Sequence, residues 1–298
     1  MPRLPISLTA LLGLMLALQA GPAAATIVSG QVDDFEDDLL QGWFGGGAAS
    51  PNPPTNIATG GPAGADDNFL RLTSNGSPSG PGGRLVVFNE VQWAGNYLAA
   101  GVSSIQMQVK NLGSTVLVLR LILDDSADGQ SLTTDPITLA AGSDWSPISF
   151  SLAAANLSGG SFDTVMGNVI GLNLVHSPDV IAHRSFAPGI VAQLGVDNIK
   201  AMSFPGDANG DHVVDFTDLG ILLNNYDQPG TFATGDFDHT GIVNFTDLGI
   251  LLNNYNQHAP VFSPAAAVPE PSSLLLAVAG IAALSFRTVR CRTSPRKR

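Results

Sequence analysis

The chain has 298 residues, with 13 Lys+Arg against 25 Asp+Glu and a formal net charge of −12. That balance argues against nucleic acid or an anionic membrane surface as a partner, since both need clustered cations. A single cysteine, Cys291, excludes an intramolecular disulfide framework and any multi-cysteine metal site. Charged residues make up only 13 % of the chain, Gly (33) and Pro (20) are abundant, and 44 % is hydrophobic. This composition suits strands and turns around a core rather than long helices or disorder.

Residues Met1 to Ala25 read as a secretory signal peptide. Arg3 supplies the positive start, Leu8 to Leu18 the apolar stretch, and Ala23-Ala24-Ala25 the small-residue cleavage site, which makes Thr26 the first mature residue.

From residue 26 to 203 no long helical periodicity occurs. Strand-like stretches run over Phe69 to Thr73, Arg84 to Asn89, Val102 to Lys110, Thr115 to Leu123, Ile137 to Ala140, Trp145 to Leu152, Val169 to His176 and Val191 to Phe204. Ile105/Met107/Val109 and Ile148/Phe150/Leu152 alternate as half-buried strands do. Short strands separated by Gly, Pro, Asn and Ser indicate a mainly β fold, an antiparallel sandwich or jelly roll.

The opening Asp33-Asp34-Phe35-Glu36-Asp37 with Gly42-Trp43, and the closing Gly195-Val196-Asp197-Asn198-Ile199-Lys200, resemble the first and last strands of galactose-binding-like carbohydrate-binding sandwiches. The resemblance implies a structural calcium ion where those termini meet, held by acids near Asp34 or Glu36 and by Asp197. The alternative for this acidic cluster is a solvated edge. Sugar binding needs aromatic platforms flanked by polar groups, and the candidates are Trp43, Phe44, Trp93, Tyr97 and Trp145. Trp93 and Tyr97 lead, because Gln92, Gly95 and Asn96 around them suggest an exposed loop; each aromatic is also a candidate for the core. Catalysis finds little support. Glu36 and Glu90 are the only glutamates of the domain, His176 and His183 sit in no metal-ligand or nucleophile motif, and no Gly-x-Ser-x-Gly, His-Glu-x-x-His or phosphate-cradling loop occurs.

An internal repeat follows. The segment Phe-Thr-Asp-Leu-Gly-Ile-Leu-Leu-Asn-Asn-Tyr occurs as Phe216 to Tyr226 and again as Phe245 to Tyr255. Leading into each copy and reaching its third residue, oxygen-bearing side chains stand at loop positions 1, 3, 5, 9 and 12, the spacing of an EF-hand calcium loop. They are Asp207, Asn209, Asp211, Asp215 and Asp218, then Asp236, Asp238, Thr240, Asn244 and Asp247, with backbone carbonyls expected from Val213 and Ile242 at position 7. Val214 and Val243 at position 8 are expected to pair the two loops through a short strand-like contact. Leu219/Leu222/Leu223/Tyr226 and Leu248/Leu251/Leu252/Tyr255 follow i, i+3, i+4, i+7, so each copy ends in an amphipathic helix. A core this small makes metal binding part of the folding energy.

Asp at position 12 and the duplicated loop-helix unit resemble a type I dockerin module over Phe204 to about His258. The resemblance implies two Ca²⁺ sites and a cohesin partner docked through the helices and through Phe216-Thr217 and Phe245-Thr246; an intramolecular calcium-stapled spacer is the alternative. Two positions depart from the pattern: His212 stands where Gly normally provides positive φ, and Thr240 replaces a stronger ligand.

After a linker at 259–267 comes Pro269-Glu270-Pro271, then an uncharged stretch to Phe286 and an arginine-rich tail. The stretch reads as a membrane helix at 271–286 with its tail on the cytoplasmic side. A permanent anchor is one reading. The order of parts also resembles the PEP-CTERM sorting signal of exported bacterial proteins (268–298), which implies an exosortase-type protease cutting near Pro269. The expected organisation is signal peptide 1–25, β-sandwich 26–203, calcium repeat 204–258, linker 259–267 and sorting signal 268–298. The expected function is a secreted or cell-surface, calcium-binding, non-enzymatic protein that contacts extracellular polysaccharide or acts as a matrix component. A cohesin-dependent assembly component and a small sandwich hydrolase are the alternatives.

Overall fold

Alternating side chains along short strands build two facing sheets, seen in a computed structural model that describes residues 26–46, 50–78, 82–124 and 129–258. The signal segment through Ala25, the tripeptide Pro269-Glu270-Pro271 and the apolar run 271–286 lie outside the described residues. Among the described residues, no helix is long and apolar enough to cross a membrane.

In chain order the strands are β1 (Val32–Asp33), β2 (Thr55–Ile57), β3 (Phe69–Asn75), β4 (Val86–Asn89), β5 (Val102–Asn111), β6 (Leu117–Asp124), β7 (Ser131–Thr134), β8 (Ile137–Leu139), β9 (Ser146–Ser151) and β10 (Leu157–Gly159). A five-residue helix α1 (Phe162–Met166) precedes β11 (Gly171–His176) and β12 (Val191–Ser203). One sheet has the order β2-β3-β12-β5-β9 with β1 also on β12; the other runs β10-β7-β6-β11-β4 with β8 on β6. Every named pairing is antiparallel.

All eight expected strands form, with ends shifted by a few residues. The inner faces meet in one core: Ile105, Met107 and Val109 of β5, and Ile148 and Phe150 of β9, oppose Leu117, Leu119, Leu121 and Leu123 of β6. Burying each such side chain contributes about 1.5–3 kcal/mol. Strand β12 changes phase halfway. Leu194 and Val196 point inward, then Ile199 and Ala201, and the register slips between Asp197 and Lys200. Asn198 takes φ 50° at that bulge, and the extra residue shifts the alternation so that Ile199 rather than Asn198 faces the core.

Strand β6 is buried on both faces, which explains its unbroken apolar run. Its outer face lies under the β11–β12 connection, residues 177–190. Arg120 donates to the carbonyls of Thr134 (2.7 Å), Ser177 (3.1 Å) and Pro178 (3.1 Å), and Thr133 Oγ1 donates to Ile181 O at 2.7 Å.

Two helices complete the described chain, α2 (Phe216–Asn224) and α3 (Phe245–Asn254). Each has a capping box, Asp215 with Asp218 and Asn244 with Asp247, which satisfies orphan N–H groups at the helix start. Phe204, Val214, Leu222, Phe232, Phe237, Val243 and Leu251 form a second, smaller core.

Pairing between the two loops differs from the sequence expectation. Val214 exchanges backbone hydrogen bonds with Asn256 (2.8 Å) and Gln257 (3.1 Å), and Val243 with Asp227 (2.8 Å) and Gln228 (3.0 Å). Each loop therefore closes on the chain leaving the other copy's helix, where Asp227 and Asn256 take the same left-handed turn (φ 59° and 62°). The near two-fold relation of the repeats makes this exchange reciprocal.

Candidate functional site

Trp93 and Tyr97 are not exposed platforms. Both have no exposed surface and belong to the sandwich core. The polar residues beside them are explained by local hydrogen bonding: Gln92 Nε2 donates to Asp33 Oδ1 at 2.9 Å, and Asn96 Oδ1 accepts from Ala99 N at 2.8 Å. Tyr97 Oη donates inward to Trp93 O at 3.0 Å. Trp43 is buried too, while Trp145 is half-buried against Phe69 with its indole N–H on Gly60 O (2.9 Å). Of the aromatics named from the sequence, Phe44 is the exposed one, and its ring lies 4.1 Å from that of Phe88.

Beside that pair a cleft of about 260 Å³ opens between β3 and the sheet-edge strand β4. Its apolar walls come from Pro54, Leu72, Leu85 and Phe88, and its polar groups from Ser50, Asn52, Thr73, Arg84, His183, Arg184 and Ser185. The volume is just below the usual range for small-ligand sites, about 300–1,000 Å³, and the mix of apolar wall and few polar groups is typical of them. Arg184 is held tightly: Nη1 reaches Asn173 Oδ1 (2.8 Å) and Asp124 Oδ2 (3.4 Å), Nη2 reaches Glu90 Oε1 (2.8 Å), and the guanidinium lies 3.7 Å above the Phe88 ring. Arg84 Nε donates to Ala187 O at 2.7 Å. Sequence reading missed this cleft because its residues come from four separated stretches of chain with no spacing in common.

In each loop the carboxylates at positions 1 and 12 gather backbone N–H groups, whereas Asp215 and Asn244 at position 9 turn to cap the helices. In the first, Asp207 accepts from the N–H of Gly210 (2.8 Å), Asp211 (3.1 Å) and His212 (2.9 Å), and Asp218 from Ala208 (2.9 Å), Asn209 (3.2 Å) and Asp215 (2.8 Å). In the second, Asp236 accepts from Thr240 (3.1 Å) and Gly241 (2.9 Å), and Asp247 from Phe237 (2.8 Å), Asp238 (3.1 Å) and Asn244 (2.8 Å). Burial pushes the Asp207 carboxyl up to about 7 and raises Asp218 as well. A carboxylate desolvated without a cation favours either a proton or a metal ion. Asp215 and Asp238 stand lower than usual, Asp215 through the N–H of Thr217 and Asp238 through the Thr240 hydroxyl.

Among the described residues, one set of three carboxylates has oxygens all within 4.8 Å of one another: Asp236, Asp238 and Asp247. A hard oxygen donor set on a tight turn fits calcium. His212 does adopt positive φ (71°), matching Gly241 (87°) in the other copy, and its Nε2 lies 2.9 Å from Ser103 O of the sandwich. Phe216 and Phe245 stand exposed at the starts of the two helices.

The first and last strands of the sandwich meet, with Val32 opposite Lys200 and Asp33 opposite Ile199. Asp197 beside them is fully buried and pushed up to about 7, first by burial and then by Asp67, Glu36 and Asp34. Its partners are the N–H and side-chain amide of Asn198, each at 2.7 Å. Asp34, Glu36 and Asp197 therefore share one neighbourhood, which Asp67 joins from the turn before β3.

Residues 267–290 match the family model of the PEP-CTERM protein-sorting motif. A search of curated proteins finds no match. Among solved structures the chain is similar to an exo-β-agarase (TM-score 0.43, 11 % identity, covering 59 % of this chain and 26 % of that one). It is similar also to a family 11 carbohydrate-binding module from Clostridium thermocellum in complex with a β-1,3-1,4-mixed-linked tetrasaccharide (0.40, 14 %, 59 % and 96 %). A tandem of family 22 carbohydrate-binding modules from Paenibacillus barcinonensis is a further example (0.36, 15 %, 59 % and 48 %). The chain spans about a quarter of the agarase's length and nearly all of the family 11 module. The sorting motif at 267–290 marks an exported protein of the cell envelope.

Proposed function

We propose that this exported protein binds extracellular polysaccharide through its sandwich and carries a calcium-binding, dockerin-like repeat beside it. The cleft between β3 and β4 carries the reading: it joins apolar walls to hydroxyl, amide and guanidinium donors at the size of a monosaccharide unit. No Asp or Glu is among its described lining residues, so a pair of facing carboxylates for glycoside hydrolysis is not supplied there; binding without turnover is the expected behaviour. The repeat's oxygen donors would hold two calcium ions, and the neighbourhood of Asp34, Glu36 and Asp197 a third. An exosortase-type protease would act near Pro269. The test is retention of the secreted protein on a panel of polysaccharides, with Thr73→Trp filling the cleft. Retention lost in that variant supports the site, and retention unchanged by it removes the cleft from the reading.

A second reading has its own observation. Phe216 and Phe245, 74 % and 76 % exposed, present the same side chain at equivalent places in the two copies, a surface suited to a cohesin-type partner.

A further inference from the structure

Between the signal peptide and the sorting signal the chain has six cations and 24 acids. An anionic ligand is repelled from most of such a surface, so a place where cations gather stands out. Two of the six, Arg84 and Arg184, line the β3–β4 cleft together with His183. Others are committed elsewhere: Lys110 pairs with Asp144 at 2.8 Å, and Arg120 is buried on backbone carbonyls. We infer that the cleft takes an acidic sugar unit, one bearing a carboxylate or a sulfate, rather than a neutral one. This rests on the reading of the sandwich as a polysaccharide binder.

The two arginines differ in role. Arg184 is pre-ordered by Asn173, Glu90, Asp124 and the Phe88 ring; its charge is shared with Glu90 and Asp124, neither of which is among the described residues lining the cleft. Arg84 has no ion pair among the described residues. Its Nε is fixed by Ala187 O, which leaves the two terminal nitrogens as a planar fork for the oxygens of a carboxylate or sulfate. His183 Nδ1 accepts the Ser185 N–H at 3.1 Å, so the neutral ring carries its proton on Nε2, a further donor at the cleft wall. The Thr73 hydroxyl and the Asn52 carbonyl oxygen remain for sugar hydroxyls, Asn52 Nδ2 being held on Gly82 O at 3.2 Å and Ser185 Oγ lying 2.8 Å from His183 Nδ1.

The experiment compares the secreted protein and its Arg84→Gln variant on polygalacturonate, its methyl ester, a sulfated galactan and a neutral β-glucan, with affinity measured by calorimetry and folding by thermal melting. Polygalacturonate or the sulfated galactan is expected to bind, with the better of the two naming the anion. Esterification and Arg84→Gln are each expected to weaken binding about 10–100-fold, the effect of losing one charged hydrogen-bonded contact, with the melting temperature of the variant unchanged. Equal affinity for polygalacturonate and its ester where polygalacturonate binds, equal affinity for the galactan before and after desulfation where the galactan binds, or binding of the neutral glucan alone, overturns the anionic assignment and leaves the polysaccharide reading standing. Binding to none of the four overturns both. If Arg84→Gln melts early, the esterification comparison on the unaltered protein decides the matter by itself.

Discussion

The indole N–H of Trp93 donates to the carboxylate of Asp33 at 2.6 Å, and Trp43 donates to the same oxygen at the same distance. Gln92 Nε2 donates to the other oxygen of Asp33, Oδ1, at 2.9 Å. All three donors converge on a carboxylate at the strand that opens the sandwich, so the residues singled out as sugar platforms serve instead to satisfy a buried charge. Burial still raises the Asp33 carboxyl, against the lowering effect of these donors. Trp93→Phe removes one charge-assisted bond and is expected to cost about 1.5–3 kcal/mol in urea unfolding. Trp93→Ala, which also opens a cavity, should cost about 3–5 kcal/mol. A Trp93 variant with unchanged stability and lost glycan binding would contradict the buried placement.

The acidity of the sandwich gives a pH dependence of definite sign. Asp197 is pushed up to about 7, whereas an unfolded carboxyl titrates near about 4. Between those values the folded chain holds a proton that the unfolded chain has released, so stability falls as pH rises from about 4 to 7. Asp207 acts in the same direction. His176 and His212, held below the usual imidazole range by burial, act in the opposite direction. Unfolding in chelator at pH 5 and at pH 8 is therefore compared between the unaltered protein and Asp197→Asn, whose stability should fall less with rising pH. An identical pH dependence in the two would show Asp197 to be ionised and satisfied without metal.

Asp218 and Asp247 each close a capping box and gather the N–H groups of their own loop. They are equivalent in the repeat, so each is expected to govern one ion. Calcium titration of the unaltered protein should show two ions bound in the repeat, and Asp218→Asn or Asp247→Asn should each remove one. Chelation is expected to lower the helical circular dichroism, because the repeat's small core depends on the metal. A repeat whose spectrum ignores chelation would argue for two self-sufficient capped helices.

Gly101 (φ 65°) faces the ring of Phe232, so closely that a Cβ would collide with it. The His212–Ser103 contact lies beside it. Gly101→Val is expected to lift the repeat from the sandwich and increase cleavage in limited proteolysis near Pro205. Calcium binding should survive, since no ligand is altered. An unchanged digestion pattern would show that the two cores are held together by other means.

Much of the fold is written in local sequence. Period-two alternation at Ile105/Met107/Val109 and Ile148/Phe150/Leu152 specified buried strand faces, because a strand places every second side chain on one side. The 29-residue repeat specified both helices and the capped loops that lead into them, since the spacing of a loop-helix unit is local. What stayed hidden was non-local. Strand β7 and strand β10, short and polar, exist because neighbours hydrogen-bond to them.

Sequence alone therefore determined eight of the twelve described strands, the duplicated loops and the sorting motif, each a pattern written within a few dozen residues. Tertiary structure alone decided which tryptophans are buried, that Val214 and Val243 pair with the turns after the opposite helices, and that Arg84 and Arg184 share a cleft. Those two arginines are 100 positions apart in the chain. They meet because the β11–β12 connection folds over the outer face of the second sheet, and no local propensity encodes where such a connection lands.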